Sequence, residues 1–391
     1  DGSIPVSFAA QRDWLNQAGS EEMSTVADWS DVVTLPNILT APDGDRESDR
    51  LLMTILFIEA GRYREAQDEL RVLLGVHPDD PSLWILQGHS WAGLGELSLA
   101  DECYSMSTAL APNIAFAWFQ RGRGRMDQGR YAEASNDFTR ACELQPSFME
   151  AWLNHAICLR KTNRHSDAEL VLTHAIELPD VREIPVRAYF LRSDSRAKTG
   201  DEQGALADRE YALSITPTDE HSWIARGNAL VAQDAKAALA CFDQALQLNP
   251  HSTQAAQNAL YVLIEELQQL DVAKIRLLSL VHTRPRDAMA RATLSVVLAR
   301  MGERDGALEQ VDALLSLKPT PRQTYQAASA LAITGRSHRS DFERAIQLVA
   351  TAFRLEPELV SLAERDPDMA ALRGNPEYHQ MVGAVRTLQS K

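Results

Sequence analysis

Cysteine is scarce: four residues in 391, none in a C-x-x-C pair, so the sequence holds neither a zinc ribbon nor a dithiol redox motif. Cys103, Cys142, Cys158 and Cys241 stand singly and are expected as small apolar fillers on helices. Long hydrophobic runs are missing as well. The longest, Leu51 to Ile58, falls far short of the roughly 20 residues a membrane-spanning helix needs. Positive charge is in deficit: 39 Lys and Arg against 54 Asp and Glu leave −15, an acidic balance that repels phosphate backbones, so nucleic acid is not an expected partner. No segment sustains period-two alternation between hairpin turns, which excludes a sheet protein. Phosphate loops, serine elbows and H-E-x-x-H helices are likewise missing. Gly122-Arg123-Gly124 has part of a dinucleotide pattern but falls inside a predicted helix. No catalytic residue, cofactor or metal is expected, and Glu265-Glu266 reads as solvated charge on a helix.

What is present is a folded chain's composition, with 45% apolar and 24% charged residues. Its length exceeds one ordinary compact core, which leaves several domains or an elongated array. The first residue is Asp1 rather than Met and no leader pattern follows, so a processed or partial chain is expected.

Self-similarity decides between these. Trp84, Trp118 and Trp152 recur every 34 residues, and Tyr189 and Trp223 continue the series after a three-residue insertion. Gly88 and Gly122 keep the interval, followed by Ala156, Ser193 and Gly227. Ala66, Ala100, Ala134, Ala168, Ala205, Ala238, Ala273, Ala307 and Ala345 form a third series. Prolines close the units, as at Pro78, Pro112, Pro146 and Pro250, with Pro179 displaced in the fourth. Each unit reads as two amphipathic helices joined by a turn such as Asp127-Gln128-Gly129-Arg130. Small residues at Gly122 and Ala134 let the paired helices approach, and Pro146 stops the second helix because it lacks an amide donor. A single hairpin cannot bury its apolar face, so neighbouring units must stack. The predicted array spans 47–359 in nine units, with a helical and linker segment at 1–46 and capping helices at 360–391.

The chain resembles the tetratricopeptide repeat family at these residues, most closely over Ala115 to Phe148, which supplies Trp118, Gly122, Ala134, Phe138, Ala141 and Pro146. It departs at the Leu and Tyr places, which hold Arg121 and Arg125. The resemblance implies an all-α, right-handed superhelical solenoid of helix-turn-helix units. It also implies a concave groove lined by the second, fifth, ninth, twelfth and thirteenth residues of each first helix. That rule selects His89, Phe116, Phe119, Arg123, Asp127, Arg160, Lys161, Arg187, Phe190, Asp194, Lys198 and Asn228. Arg123, Arg160, Lys161, Arg187 and Lys198 would form a basic strip for an acidic peptide or partner protein, with Phe119 and Phe190 as apolar anchors and Asp127 and Asp194 neutralising part of the charge. Solvated, internally paired surface is the competing reading of the same strip.

Two features remain. His155 and Cys158 share a helix face near Cys142, but a tetrahedral centre needs a fourth ligand, and His155 stands where the repeat usually carries Leu; a hydrogen-bonded core histidine is expected. Asp366-Pro367-Asp368, Leu372-Arg373 and Pro376-Glu377-Tyr378 resemble the ending of repeat arrays in some large bacterial proteins, including membrane-tethered Ser/Thr kinases. The sequence therefore predicts a non-catalytic interaction scaffold. An assembly subunit that uses its outer face, and the regulatory arm of a larger enzyme, are the alternatives it leaves open.

Overall fold

The computed structural model describes residues 46–179 and 184–389. The helical stretches and linker expected before residue 46 lie outside the described residues. Among the described residues every regular element is helical. Two compact units divide the chain: one lies within Ala18–Ala229 and Gln244–Thr253, the other includes Leu230–Asp243 and Gln254–Lys391.

The first unit holds helix pairs α1 (Arg46–Glu59) and α2 (Tyr63–Val76), α3 (Pro81–Gly93) and α4 (Leu97–Leu110), α5 (Ala115–Asp127) and α6 (Tyr131–Leu144), α7 (Met149–Lys161) and α8 (His165–Ile176), and α9 (Val186–Thr199) and α10 (Glu202–Ser214), followed by most of α11 (Glu220–Leu230). Each helix packs on the next, as the stacking argument requires. The turns are built from local chemistry. Asp80 caps α3 by accepting from the Ser82 amide at 2.8 Å, with Pro81 in the first turn, where its missing N–H costs nothing. Gly129 closes the α5–α6 turn with φ +72, and Asn163 takes the corresponding place before α8 at φ 59.

Within a pair, the repeated glycine meets the repeated aromatic. A Cβ on Gly122 would stand 2.8 Å from the Phe138 ring, and one on Gly88 would stand 2.5 Å from the ring of Tyr104. Ser193 fills the same place in the fifth unit and donates its hydroxyl to the Ala205 carbonyl at 2.7 Å. All nine alanines of the series are buried. Tryptophan and proline, separate signals in the sequence, are joined in space: the indole N–H of Trp84 donates to Pro78 O at 2.8 Å, Trp118 to Pro112 O at 3.0 Å and Trp152 to Pro146 O at 2.8 Å. Arg291 stands at the tryptophan place of the eighth unit, and its Nε donates to Pro285 O at 2.9 Å.

α12 (Ala235–Leu248) connects the two compact units. The second unit continues with α13 (Thr253–Tyr261), a π turn at Val262–Glu266, α14 (Leu270–Thr283), α15 (Ala288–Arg300), α16 (Arg304–Ser316), α17 (Pro321–Thr334) and α18 (Arg339–Leu355). The tail holds α19 (Leu359–Ala363), two short 3-10 turns and α20 (Pro376–Gln389). A continuous helix to Leu372 was the expectation. It breaks at Asp366-Pro367, because Pro367 has no amide to donate and Asp366 turns back to accept from the Asp368 amide at 2.9 Å.

Candidate partner-binding site

The predicted strip lies on the first helices α5, α7, α9 and α11, and the structure tests its parts unequally. Arg187 is 7% exposed and places its guanidinium on both carboxylate oxygens of Glu150, while its backbone N–H donates to Ser222 Oγ at 3.1 Å. Arg160 Nη2 donates to Asp194 Oδ2 at 2.9 Å. Arg123 is half-buried, its Cζ 5.9 Å from the Phe119 ring centre; Lys161 is half-buried, and Lys198 and Asn228 are exposed. Glu150 and Arg187 are both second residues of their units, so equivalent positions of successive repeats do meet. Glu150 went unnoticed in the sequence, although the lining rule itself selects it.

Phe119 and Phe190 are placed differently from the expected open anchors. Phe119 is buried against Phe138 and Phe148, with ring centres 5.7 and 4.6 Å away, and Phe190 is buried with Val186 and Ala212. A large ring at the fifth place of the first helix gains more from the core than from an open wall.

Several polar groups on this face have unmet hydrogen-bonding capacity. Asn154 is fully buried, and neither its Oδ1 nor its Nδ2 has a partner. Arg160 Nε, Arg187 Nε and Gln120 Oε1 are buried without one too. His155 is 3.3 Å from Thr139 Oγ1, and burial holds its pKa down at about 4. The Cys158 thiol beside it is pushed up to about 12 by burial, so it is a filler rather than a thiolate. Among the described residues no group of three His, Cys, Asp or Glu is arranged to hold a metal ion. None of their helices is long and apolar enough to cross a membrane.

A family model described as the tetratricopeptide repeat matches residues 119–182. The chain carries tetratricopeptide repeats. Among solved structures, the human IFIT1 dimer with PPP-AAAA is 17% identical, with a TM-score of 0.52 over 97% of this chain and 95% of that one. The human IFIT1 dimer with m7Gppp-AAAA gives 0.51 at 17% identity, over 97% and 96%. A tetratricopeptide repeat protein from Parabacteroides merdae is 19% identical and covers 66% of this chain and 97% of its own, with a TM-score of 0.44. These likenesses concern the fold. A search of curated proteins found no match.

The tetratricopeptide repeats here depart from the family pattern for a structural reason. Arg121 and Arg125, at the Leu and Tyr places, converge on Asp137, with Arg121 Nη2 to Oδ1 at 2.6 Å and Arg125 Nη1 to Oδ2 at 2.9 Å. Two units later Arg192 and Arg196 converge in the same way on Asp208, at 2.7 and 2.9 Å. Both aspartates are buried, so these are paired internal charges rather than ligand contacts.

A second polar cluster joins the tail to the last repeats. Asp366 accepts from Tyr325 Oη at 2.6 Å, while Arg300 donates to Asp368 Oδ2 at 2.7 Å and to Glu265 Oε1 at 2.6 Å. Glu265, read in the sequence as solvated charge, is instead 2% exposed in the π turn. The π turn adds a residue to the helical repeat and shifts the residues after it out of the α-helical register. Burial raises the Asp366 carboxyl to about 6.

Proposed function

We propose that the chain is a non-catalytic interaction scaffold whose first-helix face over α5, α7 and α9 holds an extended acidic segment of a partner protein. One observation carries the reading: Asn154, Arg160 and Arg187 present polar atoms with unmet bonding capacity on a single face. Such groups are rare in folded proteins and are satisfied when a ligand supplies the missing partners. An extended peptide brings main-chain N–H and C=O groups for Asn154 and carboxylates for Arg160 and the exposed Lys198. Glu150 and Asp194 already neutralise part of the strip, so the electrostatic share of the affinity is modest and hydrogen bonding carries more of it. Repeat scaffolds of this fold present binding faces rather than reaction centres, and the alternative role as an assembly subunit would leave this face unoccupied.

Hydrogen exchange of the chain with a pool of blocked Asp- and Glu-rich peptides tests the proposal. Protection confined to α5, α7 and α9 supports it. An unprotected face overturns it, as does protection by PPP-AAAA equal to that by the peptides.

A further inference from the structure

Away from that face, the junction of the first two repeats contains a cleft of about 730 Å³ between α2 and α3. Its floor is the Gln67–Gln87 pair, joined by one hydrogen bond from Gln87 Nε2 to Gln67 Oε1 at 2.7 Å. That single bond leaves Gln67 Nε2 and Gln87 Oε1 buried without partners, so a donor and an acceptor stand side by side. Trp84 and Trp91 form the apolar wall, and Arg64 stands on the rim.

The neighbouring junctions show what this one lacks. Thirty-four residues on, Gln67, Gln87 and Trp91 become Asp101, Arg121 and Arg125. There Arg125 Nε bonds Asp101 at 3.0 Å, Arg121 Nη1 bonds Thr108 at 2.9 Å, and the Arg121 guanidinium covers the Trp118 ring at 4.7 Å. Between α8 and α9, Arg196 and Arg192 reach Glu169 and Thr173 in the same manner. Arginines close both of those junctions. Between α2 and α3 no cation among the described residues stacks on Trp84, and a Cβ added at Gly75 in the cleft wall would meet nothing within 4 Å.

We infer that this cleft is a second binding site, for a short peptide segment with an apolar side chain followed by a carboxylate. A peptide amide offers the C=O and N–H that match the free donor and acceptor of the floor. The apolar side chain lies on the indoles, as flat aromatic walls favour. Among the lining charges two arginines face one aspartate, and Asp68 is already held by Arg71 at 3.0 Å, which leaves Arg64 for the ligand's carboxylate. On a chain of net charge −15 this local positive balance selects an anionic ligand.

The test follows the indole N–H signals of Trp84 and Trp91 by NMR while the full chain is titrated with acetyl-Leu-Asp-methylamide to millimolar concentration. Acetyl-Leu-Asn-methylamide and AMP are the comparison probes. The inference expects saturable shifts at both indoles with the acidic dipeptide, binding roughly tenfold weaker for the neutral one, and loss of the shifts in Gly75→Leu. That variant fills the cleft from an open helical position, so the fold is retained. Arg64→Glu should abolish the preference for Asp over Asn. Absent shifts, shifts that survive Gly75→Leu, or stronger binding of AMP than of the dipeptide would each overturn it. None of these outcomes depends on the face formed by α5, α7 and α9.

Discussion

Arg160 of the fourth repeat reaches Asp194 of the fifth, Nη2 to Oδ2 at 2.9 Å, across two first helices whose residues are 34 apart in sequence. The contact shows how the repeat interval turns sequence distance into adjacency. It also shows why the strip is less positive than its five basic residues suggest.

Gly122→Leu should destabilise the first compact unit by about 1–3 kcal/mol, because any side chain there collides with Phe138. Gly75→Ala should raise stability by about 0.5–1 kcal/mol, since its surroundings are open and alanine is the better helix former. Urea titration followed by tryptophan emission measures both, as all seven tryptophans precede residue 230.

Asp137→Ala should cost about 3–5 kcal/mol, since it strands Arg121 and Arg125 beside an emptied buried site. Arg121→Met with Asp137→Leu should recover part of that loss. The recovery in a double-mutant cycle is the measurement, and additive losses would show that the pair is not coupled.

Much of this architecture could be read in advance because helix packing repeats. The glycine, alanine and tryptophan series each marked a contact now visible, and the tryptophan–proline bond explains why those two residues recur six positions apart. The site was harder to read. Periodicity locates a face but not the rotamers on it, so Phe119 and Phe190 were assigned outward when burial draws them in. Glu150 was overlooked because attention to one sign of charge hides the partner of the other. The Tyr325–Asp366 bond links residues 41 apart through a broken helix, for which no periodic signal exists.

Acid should unfold the first unit through its histidines. His89 and His155 are held down at about 3 and about 4 by burial, well below the ordinary value of about 6.5. A depressed pKa means that the unfolded chain binds protons first, so this contribution to stability is complete above about pH 6.5 and is lost as pH falls toward 4 and then 3. His155→Leu should flatten that decline, seen as a smaller drop in the tryptophan-detected midpoint between neutral pH and pH 5.

Asp366 should act with the opposite sign in the tail. Its carboxyl is raised to about 6, so the folded state binds the proton more tightly than the unfolded one, and the contribution is complete below about pH 4 and lost as pH rises through 6. Amides of 359–374 should therefore be better protected at pH 5 than at pH 7, after correction for intrinsic exchange. Tyr325→Phe should loosen the same amides by about 1–3 kcal/mol while leaving tryptophan emission unchanged.

The scaffold proposal is tested most directly by anisotropy titration of a labelled Asp- and Glu-rich peptide against the wild-type chain and the Arg160→Glu, Lys198→Glu double variant, at low and physiological salt. Arg187 is left intact because reversing it would bury two carboxylates together. Two exposed charges worth up to about 1 kcal/mol each, once reversed, should weaken binding by roughly tenfold or more and flatten its salt dependence. Equal affinity and equal salt dependence in the two proteins would contradict the account and leave the strip as ordinary solvated surface.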